Sequence, residues 1–182
     1  FDRDGDEDIF VSNGHVIRYP VNAPLRQAPL LFENHEGKRF QNVAPAAGAY
    51  LNAAHMGRGV VSGDIDNDGD LDIVISNVNE SVAVLSNESA NQNRWISLRL
   101  AGTKSNRDAI GARVRIRTGQ NYQTRQLKGG TSYASSSDHR LFFGMGKAGM
   151  VEEIEIHWPS GNVQVLRNVS VDQVLLIHET SP

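Results

Sequence analysis

The chain has 182 residues, 39% of them hydrophobic and 21% charged, with a formal charge of −3; this ordinary globular mix excludes wholesale disorder. Its apolar runs are only a few residues long, as at Ile73–Ile75, far short of the roughly 20 that cross a bilayer as a helix. Cysteine is absent, which excludes disulfides and thiolate-bound zinc or iron–sulfur centres. The charge is unevenly placed. Residues 1–92 carry 14 acidic and 6 basic side chains, and residues 93–182 carry 7 acidic and 12 basic. A division into an acidic unit, 1–92, and a basic unit, 93–182, is expected. The polar start Phe1-Asp2-Arg3-Asp4 has no initiator Met and no apolar leader, so a processed form or a piece of a longer protein is expected.

The chain opens on Asp2-Arg-Asp-Gly-Asp-Glu-Asp8, followed by the short apolar run Ile9-Phe-Val. A hairpin is predicted over Leu30–Ala44, turning at Glu36-Gly37, and a strand over Gly57–Gly63. Then comes Asp64-Ile-Asp-Asn-Asp-Gly-Asp-Leu-Asp72, leading into the β-branched strand Asp72–Asn77. At an offset of 64, residues 1–13 and 65–77 agree at eight of thirteen positions. Leu31–Asn34 is weakly echoed by Val84–Asn87. An internal repeat built of short strands predicts propeller blades.

Asp64, Asp66, Asp68 and Asp72 occupy loop positions 1, 3, 5 and 9. Gly69 permits the sharp turn, and the carbonyl of Asp70 can complete the shell. All-oxygen ligation of this kind suits Ca²⁺ better than Zn²⁺ or Mg²⁺. An EF-hand is excluded, because Ile75 stands where the bidentate Glu belongs and a strand follows instead of a helix. The first copy keeps only Asp2, Asp4, Asp6 through its carbonyl, and Asp8. It is expected to bind weakly, or to take its missing ligand from outside this chain.

The second half predicts strands near Trp95–Ala101, Arg113–Thr118, Tyr122–Leu127, Leu141–Gly144, Val151–Trp158, Val163–Val169 and Val174–Ile177, separated by Gly, Pro and Asn breakers. The fold class is therefore all-β: partial propeller blades, then an antiparallel sandwich or barrel-like domain. Alternation along Arg113–Thr118 puts Val114 and Ile116 inward and Arg113, Arg115 and Arg117 outward. With Arg125 and Lys128 on the neighbouring strand, these form the best candidate surface for an anionic ligand. A solvated sheet face is the competing reading. Trp95 and Trp158 read as core anchors. The segment Ser135-Ser-Ser-Asp138-His139 holds the residue types of a hydrolase triad, but neighbours on one short loop rarely reach triad geometry. No His pair has zinc spacing, and a pI near 6.1 without an aromatic-interleaved basic motif argues against nucleic acid.

The pattern D-x-D-x-D-G-x-x-D entering a hydrophobic strand, with Gly57–Gly63 before it, resembles the FG-GAP/VCBS repeat of integrin-type propellers. The run Asn93-Arg-Trp-Ile-Ser-Leu-Arg-Leu, then Gly102–Val114, Gly129–Asp138, Leu141-Phe-Phe-Gly-Met-Gly and Trp158-Pro-Ser-Gly, resembles the ASPIC/UnbV domain. In that order the chain is similar to the C-terminal part of cartilage-acidic-protein-like and UnbV-like proteins. The resemblance implies secretion and calcium-binding repeats, and brings no established catalytic activity with it. The resulting expectation is a non-enzymatic, secreted or periplasmic calcium-binding module for adhesion. Its partner would be a protein or anionic polysaccharide outside the cell, or further copies of itself. The alternative is a structural subunit of an extracellular filament or sheath, assembled through open strand edges.

Overall fold

The computed structural model describes residues 1–180. The acidic half forms two small sheets. The first joins β1 (Ile9–Val11), β2 (Leu30–His35) and β3 (Arg39–Asn42) in that order, all antiparallel. Glu36 and Gly37, at φ 54° and 67°, make the tight turn between β2 and β3, closed by the Lys38 amide donating to the His35 carbonyl at 3.0 Å; two successive positive-φ residues suit the right-handed twist of the flanking strands. The second sheet joins β4 (Gly57–Gly63), β5 (Asp72–Asn77) and β6 (Ala83–Leu85), also antiparallel. The two Asp-rich loops stand just before β1, an edge strand, and β5, the central strand of its sheet.

The basic half is a two-layer sandwich. One layer contains β7 (Arg94–Ala101), β10 (Leu141–Gly146) and β13 (Gln173–His178) in the order β10-β7-β13. The other contains β8 (Arg113–Thr118), β9 (Asn121–Gln126), β11 (Met150–His157) and β12 (Val163–Ser170) in the order β12-β11-β8-β9. Each predicted strand is present, and the described residues form no closed barrel. The sandwich departs from a purely antiparallel plan at β13, which runs parallel to β7. The cause is the crossing at Val171-Asp172: β12 ends in one layer and β13 begins in the other, so no hairpin constrains the direction.

Alternation along the strands builds the core. Ile96, Leu98 and Leu100 of β7 meet Val114 and Ile116 of β8, Ile154 and Ile156 of β11, and Phe143 of β10. All are buried. Seventeen buried apolar residues form this cluster, whereas the acidic half has a cluster of three (Leu31, Ala44 and Leu51), with Met56 and Ile75 buried outside it. Burial contributes about 25 cal/mol per Å² of apolar surface, so the hydrophobic effect stabilises the sandwich far more than the blades. The blades need support from elsewhere, and they meet the sandwich both at the two Asp loops and along β4, where the Ser62 carbonyl accepts the Asp138 amide and the Val60 amide donates to Oγ of Ser132.

The first loop lies against the end of β10. The Gly146 amide donates to the Arg3 carbonyl at 2.9 Å. A Cβ on Gly144 would come within 2.8 Å of the Arg3 backbone, so the close approach requires glycine there.

Candidate metal centre

The second loop turns where the sequence needs it to. Asn67 and Gly69 adopt φ of 63° and 91°, which Asn tolerates and Gly adopts without strain. The turn is tied by its own carboxylates. Oδ1 of Asp66 accepts the Asp68 amide at 3.3 Å, and Oδ1 of Asp68 accepts the Asp70 amide at 2.8 Å. Oδ2 of Asp64 accepts the Gly69 amide at 3.2 Å, and Oδ2 of Asp72 accepts the Ile65 amide at 2.9 Å. Ligand atoms of Asp64, Asp66 and Asp72 lie within 4.8 Å of one another. Asp64 and Asp72 are each 4% exposed, and Oδ1 of Asp64 is buried with no hydrogen-bond partner.

A buried carboxylate oxygen without a partner is costly. Burial pushes the Asp64 carboxyl above its ordinary value. The Gly69 amide and Arg140 pull it back, and the nearby Asp68 adds to the rise. A hard cation would remove both the charge repulsion and the missing contact, so the donor set fits Ca²⁺.

The five aspartates of this loop do not play one part. Asp68 lies outside the group of three that converge. The Asp70 side chain turns away: its Oδ1 lies 3.1 Å from Nε of Arg3, both side chains being about nine-tenths buried. Only the Asp70 carbonyl remains for a metal, the role its loop position predicts. Burial raises the Asp70 carboxyl, and Arg3 opposes the rise.

The first loop repeats the bonds of the second apart from the one between the Gly69 amide and Asp64. Asp4 donates to Oδ1 of Asp2 at 3.2 Å, and Asp6 donates to Oδ1 of Asp4 at 2.7 Å. The Phe1 nitrogen takes the place of the Ile65 amide, 2.5 Å from Oδ2 of Asp8. The faint echo between Leu31–Asn34 and Val84–Asn87 has a reason here. Oδ1 of Asp8 accepts the Asn34 amide at 2.9 Å, and Oδ1 of Asp72 accepts the Asn87 amide at 3.0 Å. Thus Asn34 in β2 closes the loop before β1, and Asn87 just past β6 closes the loop before β5. Among the described residues, Asp2, Asp4 and Asp8 form no convergent group like Asp64, Asp66 and Asp72.

Three side chains that the motif does not announce grip the second loop. Arg3 adds contacts to the Gly69 carbonyl at 3.4 Å and to Oδ1 of Asn91 at 3.2 Å. Arg140 donates to the Asp64 carbonyl at 2.6 Å and to Oδ1 of Asn67 at 2.9 Å, and pairs with Asp138. The half-buried Trp95 ring covers Gly69 and stacks on Phe142, with centroids 5.8 Å apart. Trp95 therefore packs on the loop, on the opposite side of β7 from Ile96, whereas Trp158 is a core residue with its Nε1 bonded to Gln164. The one advance signal for Trp95 was the buried Ile96 beside it, since neighbours on a strand face opposite ways.

The arginine stripe divides. Arg113, Arg115 and Arg117 do point outward from β8, but Arg115 pairs with Glu155 at 3.3 Å and Arg117 pairs with Glu152. Arg125 faces the other way. Its strand partner is Val114, an inward residue, and its guanidinium lies 5.4 Å from the Phe143 ring centroid. Burial lowers its pKa, against the opposing pull of Glu7 at 2.9 Å. Lys128 follows β9 and is exposed. The triad-like segment does not assemble: Asp138 pairs with Arg140, leaving Ser136 at 3.5 Å from His139.

Comparison with known proteins gives two family matches. Residues 1–75, which include both Asp loops, match the FG-GAP-like repeat. Residues 102–182 match ASPIC and UnbV. Both halves thus match the families their motifs resemble. The chain is also 29% identical over 174 residues to cartilage acidic protein 1 of Homo sapiens, covering 93% of this chain and 25% of that protein. Its similarity to cartilage acidic protein 1 of Mus musculus is 27% over 178 residues, covering 96% and 26%. The chain therefore spans about a quarter of the length of these relatives. No helix among the described residues is long and apolar enough to cross a membrane.

Proposed function

We propose that this chain is a non-catalytic, extracellular binding module whose Asp64–Asp72 loop holds Ca²⁺. The observation that carries the reading is the buried, unpartnered Oδ1 of Asp64 beside the converging carboxylates of Asp66 and Asp72. The ion would be held by these three, by the remaining oxygen of Asp68 and by the Asp70 carbonyl. It supplies positive charge that cancels carboxylate repulsion, and no reaction. The chain's own residues do the rest: Arg3, Arg140 and Trp95 press the ordered loop against the sandwich, so metal binding stabilises the joint between the halves. The extracellular setting is supported by relatives named for cartilage, and the affinity expected of an extracellular module is about 10⁻⁴–10⁻³ M. That range fills outside a cell and stays empty in resting cytosol.

Terbium luminescence with calcium competition tests the reading. One site lost in Asp64→Asn is expected, and wild-type protein without a saturable site would overturn it. A second reading, a subunit of a filament or sheath, is favoured by the outer strand β12, an edge of its sheet that exposes Val163 and Val165. Light scattering against concentration in calcium decides it, since a strict monomer excludes it.

A further inference from the structure

The geometry points to a second site: the cleft between the Asp64–Asp72 loop and the end of the β8–β9 hairpin binds an acidic saccharide, with Arg113 and Lys128 holding its negative group. This deepens the proposed extracellular binding role and rests on it for the kind of partner.

The cleft has a volume of about 550 Å³, within the range of small-ligand sites. Four cations line it, Arg113, Arg125, Lys128 and Arg140, against the three carboxylates of Glu7, Asp64 and Asp138. The carboxylates are occupied. Glu7 pairs with Arg125, Asp138 pairs with Arg140, and Asp64 belongs to the metal loop. Arg113 and Lys128 are left exposed, with no carboxylate within ion-pair distance among the described residues. The cleft therefore presents unneutralised positive charge, although it lies beside the acidic half.

Chemistry narrows the ligand. A guanidinium takes a carboxylate or sulfate through two parallel hydrogen bonds, and an ammonium adds a point charge beside it. The hydroxyls of Ser62, Thr124 and Thr131 line the same space, and hydroxyl-rich walls match a polyol. A compact cleft suits a sugar of two or three rings better than an extended acidic peptide. Because Asp64 also lines the cleft, calcium in the loop cancels a negative charge at its wall. Calcium is thus expected to strengthen anion binding about fivefold or more, the low end of common coupling between sites.

Calorimetric titration of the full chain tests this, in about 10 mM calcium to fill sites of the expected affinity. The probes are a galacturonate trimer, a sulfated disaccharide and a neutral galactose trimer; the first two separate carboxylate from sulfate as the recognised group. Binding of at least one acidic probe is expected, with none of the neutral one. Arg113→Gln combined with Lys128→Gln should weaken it about tenfold or more, as charge-assisted bonds imply. Arg115→Gln, facing Glu155 instead, should leave it unchanged. Both changed residues are exposed, and circular dichroism checks that the variant is folded. No binding of either acidic probe, equal binding by the double variant, or tighter binding of a hexaglutamate peptide would overturn the assignment. Terbium luminescence on the same samples keeps the two readings apart. A silent metal loop with saccharide bound defeats only the calcium reading, and a filled loop without saccharide binding defeats only this one.

Discussion

Gly69 and Trp95 meet so closely that a Cβ at position 69 would lie 2.0 Å from the indole nitrogen. The turn of the metal loop and the first long strand of the sandwich are therefore one packed unit. Gly69 answers to two demands at once, a φ of 91° and this contact.

Gly69→Ala should destabilise the chain by about 2–5 kcal/mol, from left-handed backbone strain of about 1–2 kcal/mol and overpacking of about 1–3 kcal/mol. Urea midpoints measure it. Trp95→Leu in the same chain should return part of the loss, because it opens the space the methyl needs. A double-mutant cycle showing simple additivity would rule out the contact as the cause.

Calcium at about 100 times its dissociation constant should add about 2.7 kcal/mol, which raises the melting temperature by roughly 5–10 °C for a chain of this size. EDTA should reverse the change. Asp64→Asn should abolish the calcium response. In EDTA the same variant should match or exceed the wild type, because it removes a buried charge whose Oδ1 has no hydrogen-bond partner. A variant less stable than wild type in EDTA would assign Asp64 a structural role independent of metal.

Arg3 and Asp70 join the two loops by a buried charge contact. Arg3→Met leaves Asp70 without its cation and should cost about 3–5 kcal/mol. Adding Asp70→Asn should recover much of that loss by removing the stranded charge. Thermal or urea unfolding of the four proteins checks the sign of the recovery.

Glu179 clasps the C-terminal end of β13 to the loop after β7. Its carboxylate accepts the amides of Thr103, Lys104 and Ser105, at 2.8–2.9 Å, and the hydroxyls of Ser105 and Ser160. Burial alone would raise its pKa, but these donors outweigh it and lower it from 4.5 to about 2. A depressed carboxylate stabilises the fold fully above its unfolded value and loses that contribution as pH falls from about 4.5 towards 2. Melting temperatures between pH 6 and 2 should show this loss, and Glu179→Gln should be less stable at neutral pH with a flatter profile across that window.

Much of the architecture is legible in short stretches of sequence. Strand positions follow from period-2 alternation, as in Arg113–Thr118, and the loop follows from carboxylates at fixed spacing around one glycine. The eightfold agreement between residues 1–13 and 65–77 reappears as matching hydrogen bonds, down to the shared placement of Asn34 and Asn87. These features depend on neighbours within a few residues, where covalent geometry limits the outcomes.

The facing of Arg125 was not legible in that way. It depends on which residue of β8 lies opposite, and a slip of one position would turn it to the other side. The same holds for the direction of β13 and for the partners of Asp70 and Gly69, drawn from Arg3 and Trp95. Residue spacing thus assigned the strands and the aspartate turn, because both are built from local bonds. Which side chains close over that turn, and which cations stay unpaired beside it, was decided by packing, where segments distant along the chain compete for one buried surface.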